Sequence, residues 1–202
     1  MTVTRLRSLL LAPVAAVSLA GCGLNSVPTA EENVNARFAD VQADYQRRSD
    51  LIGNLVETVK AAAAQESSVL VGISEARARA TQTTLSPADL SDPAKVAAFD
   101  AAQAQVGVAV RPLMGPMIQE RYPELKSLQN FSSLQDQLEG TENRINASRR
   151  DYNTAVQAYN TRIRTFPDAI GAKIFYGAKP RVPFEATTPG AERAPTVNFN
   201  SQ

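Results

Sequence analysis

From Glu31 to about Thr83 the chain carries no proline, and its apolar residues return at alternating steps of four and three. Starting from Val34, the steps fall on Phe38, Val41, Tyr45, Arg48, Ile52, Leu55, Val59, Ala62, Glu66, Val69, Ile73, Ala76 and Ala80. Twelve of these fourteen positions are apolar or aromatic, which lines them along one stripe of an α-helix; a strand's two-residue alternation cannot produce that spacing. Such a stripe has to be buried against other helices. The spacing predicts a single helix of about 80 Å. Gly53 and Gly72 weaken it by about 1 kcal/mol each relative to alanine without ending it.

Two further helices follow. Leu85-Ser86-Pro87 ends the first element, and Asp92-Pro93 starts the next, with Asp92 as N-cap and Pro93 at the first helical position. Val96, Phe99, Val106, Val110, Leu113 and Met117 share a face of this second helix, which should kink at Pro112 and Pro116 and stop at Tyr122. In the third, Phe131, Leu138, Ile145, Tyr152, Tyr159 and Phe166 fall seven residues apart, with Leu134, Thr141, Ser148, Ala155 and Ile163 beside them. Asn130 is its expected N-cap and Phe166-Pro167 its stop. Ala169 to Phe175 suits a short fourth helix, and Pro180, Pro183, Pro189 and Pro195 predict an extended tail.

The fold class expected is therefore all-α: a long antiparallel helical bundle of three long helices plus a short C-terminal helix, with an extended C-terminal tail. The second and third helices, at roughly 45 and 55 Å, are too short to cover the first. Val34 to Tyr45 should then have few partners within the chain, leaving that end for the C-terminal segment or another protein.

The first residues place this bundle. Arg5 and Arg7 precede an apolar run from Ser8 to Leu19 that is shorter than the roughly 20 residues a spanning helix needs, so it reads as an export signal. Leu19-Ala20-Gly21-Cys22 then resembles the bacterial lipobox, in which the thiol is acylated and the chain is cut just before it. Cys22, the only cysteine, is thus the expected lipidation site, and it excludes an internal disulfide. Gly23 does not resemble the aspartate retention signal, which favours an outer membrane where there is one. The expected segments are 1–21 signal peptide, 22–30 lipidated linker, 31–178 helical bundle and 179–202 Pro-rich tail.

The composition limits chemistry. With 21 Lys and Arg against 20 Asp and Glu, no bulk charge draws the chain to nucleic acid. Histidine is absent, which removes the commonest general base, His-dependent nucleophile systems and most zinc sites. No catalytic residue, metal site or cofactor is expected, and no binding residue is assigned.

Three polar features are candidates for sites. Arg48 and Glu66 interrupt the first stripe, as Thr141 and Ser148 interrupt the third. Arg48, helped by Arg47, could hold an anion, but polar seam positions more often pair across helices and fix register. Glu139, Glu142, Arg144, Arg149, Arg150 and Asp151 form a mixed-charge cluster that suits a solvated helix face better than acid–base work. Asn146, Asn153 and Asn160 form a third seven-residue stripe, which could line a groove for a partner's backbone or a glycan but more often flanks the core and bonds to neighbouring helices or water. Tyr45, Tyr152 and Tyr159 read as core residues with hydroxyls at the rim.

Two stretches resemble the LemA family. Arg47-Arg48-Ser49-Asp50-Leu51-Ile52-Gly53-Asn54-Leu55-Val56-Glu57-Thr58-Val59-Lys60 is similar to its RRxDLIPNLVETVK signature, with Gly53 in place of the usual proline. Leu138-Glu139-Gly140-Thr141-Glu142-Asn143-Arg144-Ile145, with Arg149-Arg150-Asp151-Tyr152-Asn153 and Tyr159-Asn160, is similar to its second block, with Ser148 where alanine is usual. The resemblance implies a bacterial, membrane-attached protein of long antiparallel helices with no established catalytic activity. The expected role is a lipid-anchored cell-envelope binding or scaffold protein, with the membrane and an unidentified protein as partners and an oligomer as a further expectation. The alternative is a carboxylate-based envelope hydrolase built on Glu139 and Glu142.

Overall fold

The apolar stripe of the first segment is buried at both of its ends, but two helices carry it. The computed structural model describes residues 25–62, 67–114 and 129–185. They form α1 (Ser26–Ala62), α2 (Ser67–Gln82), a 3-10 turn (Pro87–Ser91), α3 (Pro93–Met114), α4 (Gln129–Arg162) and α5 (Asp168–Ile174), with no strand among the described residues. The all-α bundle and its short C-terminal helix are as expected.

The first element differs from expectation. Arg77 Nε donates to Ser49 Oγ at 2.9 Å, and Gln42 Nε2 to the Leu85 carbonyl at 3.2 Å, so α2 runs back beside α1. On one straight helix Ser49 and Arg77 would stand about 42 Å apart. The predicted 80 Å rod is a helical hairpin. The gain is burial: Leu55 and Val59 share one core with Leu70, Ile73 and Ala76, whereas a rod would leave part of its stripe in water at roughly 25 cal/mol per Å². Gly53 leaves room for the contact, since a Cβ there would lie 3.2 Å from Arg77 Nη1.

α1 pairs antiparallel with α4, and α2 pairs with α3. Arg162 Nη1 donates to the Ser26 carbonyl at 3.2 Å at one end of the first pair, and Arg48 meets Glu142 at 3.2 Å further along. The two pairs close on each other around two apolar clusters. One holds Phe38, Tyr45, Phe99, Tyr152 and Tyr159; the other holds Ile52, Leu55, Ile73, Val106, Phe131 and Leu138. Asp92 caps α3 as expected, its Oδ1 accepting from the Ala94 and Lys95 amides at 3.0 and 3.4 Å. Val96, Phe99, Val106, Val110 and Leu113 are buried as predicted. Pro116, Met117 and Tyr122 lie outside the described residues.

Four other expectations are corrected. Phe38 is 2% exposed and Val41 0%, against 0% for Leu55, so the start of α1 is as well covered as its middle. The rod expected to outrun its neighbours is folded in two, and the C-terminal segment, one of the two occupants expected for this end, covers it through Phe184. The stretch read as a linker already joins the helix at Ser26, and Val27 is buried. Asn130 lies inside α4, which includes Gln129. Phe166 is 81% exposed, because α4 ends at Arg162 and the seven-residue repeat has no meaning beyond the helix.

The segment from Ala178 to Glu185 is extended, as expected of it, but it is built into the fold as a strap. Phe184 stacks into the aromatic cluster, 4.9 Å from the Tyr152 ring, 6.2 Å from Phe99 and 6.5 Å from Phe38. The Val182 amide donates to the Leu90 carbonyl at 2.8 Å. Arg181 donates to the Pro87 carbonyl at 2.8 Å and Ser91 Oγ at 3.0 Å, and is paired with Glu31. One strap residue thus ties α1, the 3-10 turn and the C-terminal segment together.

Candidate functional site

Between the two helix pairs lies a layer of guanidinium groups. Arg48, on the buried stripe of α1, is 4% exposed. Its Nη2 donates to the Gln103 carbonyl at 3.0 Å and to Gln103 Oε1 at 2.7 Å, its Nη1 donates to Glu142 Oε1 at 3.2 Å, and its Cζ sits 4.9 Å over the Tyr45 ring. Arg48 therefore spends its donors on α3 and α4 and acts as a register device, as polar seam residues do. Arg47 is exposed on another face, and Glu66 lies outside the described residues. Thr141 and Ser148 take a third course, donating to the Gln137 and Ile145 carbonyls of their own helix at 2.7 and 3.2 Å.

The neighbouring node was not anticipated. Arg149, read as part of a solvated cluster, is buried. It pairs with Asp100 through both terminal nitrogens, donates to the Tyr45 hydroxyl at 2.9 Å and to the Glu185 carbonyl at 2.7 Å, and lies 4.8 Å over the Phe184 ring. It joins α1, α3, α4 and the strap. Burial opposes its charge, but the Asp100 and Tyr45 bonds outweigh this and raise its pKa. A signal was present in the sequence: Arg149 stands four residues after Ile145 and three before Tyr152, which sets it on the buried side of the helix. The remaining charges of the cluster do face solvent, with Glu139, Arg150 and Asp151 exposed and Arg144 half-exposed at 3.7 Å from Asp44.

The asparagine stripe lines a groove for backbone, and the backbone is the chain's own. Asn160 Nδ2 donates to the Arg181 carbonyl and its Oδ1 accepts from the Arg181 amide, both at 2.8 Å. Asn153 does the same for Phe184, both at 2.9 Å. Seven helical residues advance about 10.5 Å and three extended residues about 10 Å, so the stripe and the strap share a register. Asn146 is exposed at the rim of an open groove of about 640 Å³ between α3 and α4, whose walls include Arg48, Gly107, Glu142 and Arg149.

The tyrosines are core residues; Tyr152 Oη donates to the Val182 carbonyl at 2.9 Å, and Tyr45 Oη accepts from Arg149 at 2.9 Å. Burial pushes the Tyr152 hydroxyl up to about 12, with Arg181 pulling the other way, and burial also raises Tyr45 and Tyr159. The unfolded chain loses the Tyr152 proton near its ordinary 10.0 and the folded chain only near 12. Stability is therefore full below that window and falls as pH rises through it, by on the order of 2 kcal/mol for this group. Denaturant melts across the alkaline range should show the fall. Tyr152→Phe should flatten it, and an unchanged slope in that variant would contradict the assignment.

The arrangement does not gather acid–base groups. Glu142 is tied to Arg48, and Glu139 is exposed away from the groove. No group of three or more His, Cys, Asp or Glu among the described residues is placed to hold a metal ion. No helix among the described residues is long and apolar enough to cross a membrane. Cys22, the expected lipidation site, lies outside them.

Antiparallel helix pairs locked by buried arginines and closed by a C-terminal strap define an all-helical bundle. The chain belongs to the LemA family, whose sequence pattern matches residues 37–199. It is also similar to the magnetosome proteins MamQ 1 and MamQ 2 of Paramagnetospirillum magneticum, each 28% identical over 159 residues that cover 71% of this chain and 58% of the relative. The chain thus spans less than two thirds of the length of these relatives.

Proposed function

We propose that this chain is a lipid-anchored, non-catalytic binding or scaffold protein of the cell envelope, attached through Cys22. The observation that carries the reading is Leu19-Ala20-Gly21-Cys22, placed behind an apolar run and directly ahead of a LemA helical bundle. Membership of the family and similarity to the MamQ proteins support a membrane-associated helical role. The engagement of both terminal nitrogens of Arg48 and of Arg149 within the bundle supports structural over chemical use of the interior. A hydrolase based on Glu139 and Glu142 gains no support, since the two carboxylates do not converge on one cavity.

Two acyl chains on one cysteine anchor firmly, each buried CH₂ contributing about 0.8 kcal/mol. Metabolic labelling with an alkynyl fatty acid, followed by mass spectrometry of the mature N-terminus, should give a chain that begins at an acylated Cys22. Cys22→Ala should lose the label and move the protein out of the membrane fraction. An unmodified cysteine, or a label that survives the substitution, would refute the anchor.

A further inference from the structure

The end of the bundle where α1 begins carries a cluster of large apolar side chains in water. Phe166 is 81% exposed, Ile174 70%, Phe175 66% and Ile170 53%, and Tyr176 is partly exposed beside them. Phe166, Ile170 and Ile174 fall four residues apart, and the last two share one face of α5. Buried Ala172, on another side of α5, fixes the helix to the bundle. The cluster therefore faces outward from a docked helix.

The charge along this stretch of chain is mostly positive; the carboxylates that α1 brings to the same end are exposed Glu32 and Glu31, which is paired with Arg181. Arg162, Arg164, Lys173 and Lys179 flank the cluster, and Asp168, which pairs with Arg162 at 3.7 Å, is the only carboxylate from residue 162 to 180. Aromatic and aliphatic residues ringed by Lys and Arg fit the boundary between headgroups and acyl chains of an anionic bilayer. Position agrees with composition. Arg162 donates to the Ser26 carbonyl, so the first turn of α1 stands at this same end. Ser26 is four residues from Cys22, a reach of about 14 Å at full extension.

We propose that this end of the bundle is a membrane-docking surface, with Phe166, Ile170, Ile174 and Phe175 entering the interface of an anionic phospholipid bilayer. The proposal extends the envelope reading, and its test is independent of acylation. The docked end would fix the orientation of the bundle, leaving the groove at Asn146 facing away from the lipid.

The chain contains no tryptophan, so a single indole can report on one position. The purified protein carrying Phe175→Trp is mixed with vesicles of phosphatidylglycerol and phosphatidylethanolamine, some with brominated acyl chains. Val108→Trp, on exposed α3 about 30 Å along the bundle, is the reference. Phe175→Trp should shift to the blue, lose its quenching by aqueous iodide and gain quenching by the brominated lipid. Val108→Trp should do none of these. Adding Lys173→Glu and Lys179→Glu, both on exposed side chains, should weaken the lipid signal, as should vesicles of phosphatidylcholine alone. Equal water access at the two positions would overturn the proposal whether or not Cys22 carries lipid. So would a blue shift that appears without vesicles and grows with protein concentration, because a second copy would then cover the patch.

Discussion

Replacing Arg149 by alanine is expected to lower the stability of the bundle by about 3–5 kcal/mol, the range seen when one partner of a buried ion pair is removed. The substitution leaves the Asp100 carboxylate without its counter-charge and strips the Tyr45 hydroxyl and the Glu185 carbonyl of a donor. It also removes the cation that lies over the Phe184 ring. For a domain whose total is about 5–15 kcal/mol, that is a large share. Denaturant unfolding measures it. A second variant separates charge from packing: Arg149→Met with Asp100→Leu should recover part of the loss, since it removes the uncompensated carboxylate while the Tyr45 hydroxyl and the Glu185 carbonyl still lack their donor. A cost for Arg149→Ala below about 1 kcal/mol would mean that water reaches the pair and that the node is a surface bridge in disguise.

The second large effect should come from Tyr152→Ala, at about 3–5 kcal/mol, typical of deleting a large side chain from a packed core. Tyr152 is fully buried, with its ring 5.9 Å from Phe38 and 4.9 Å from Phe184, and its hydroxyl holds the strap at Val182. Removing it opens a cavity on α4 and releases the strap at the same point. Unfolding curves should report the loss, and limited proteolysis should cut between Ala178 and Glu185 faster than in the parent protein. Tyr152→Phe retains the ring and should cost only about 1 kcal/mol. If the alanine variant left the strap resistant to protease, the asparagine clamps, the Arg181 contacts and the Arg149–Glu185 bond would suffice to hold it.

The helical seams were legible because burial in a bundle is written in spacing. Phe131, Leu138, Ile145, Tyr152 and Tyr159 are all buried, as their seven-residue repeat requires. The reversal between α1 and α2 was not legible, since both arms continue one repeat and neither proline nor a clear cap marks the change of direction. Periodicity says which face is apolar, and it does not say where a rod folds back. Arg149 was hidden by its neighbours: Arg150 and Asp151 are exposed, and charge read as a block obscured the one residue on the buried side. The strap was masked by its prolines, although Val182 and Phe184 alternate with polar or turn residues as an extended segment buried on one side should. For the candidate site, the asparagine stripe favoured a core-flanking role with bonds to neighbouring helices or water, whereas Asn153 and Asn160 bind extended backbone. That the backbone belonged to the same chain could come only from three-dimensional contact.

The strap also sets the order of events. Phe38 and Phe99 are synthesised well before Phe184, the ring that completes their cluster, whereas Tyr152 and Arg149 lie much nearer in the chain to the strap residues they meet. A polypeptide threaded N-terminus first through a translocation channel would deliver its latch near the end. Until then the helices lack one wall of their core, and a looser bundle is easier to keep unfolded for passage. On the export proposed above, locking would coincide with arrival on the far side, with its timing set by the position of one phenylalanine.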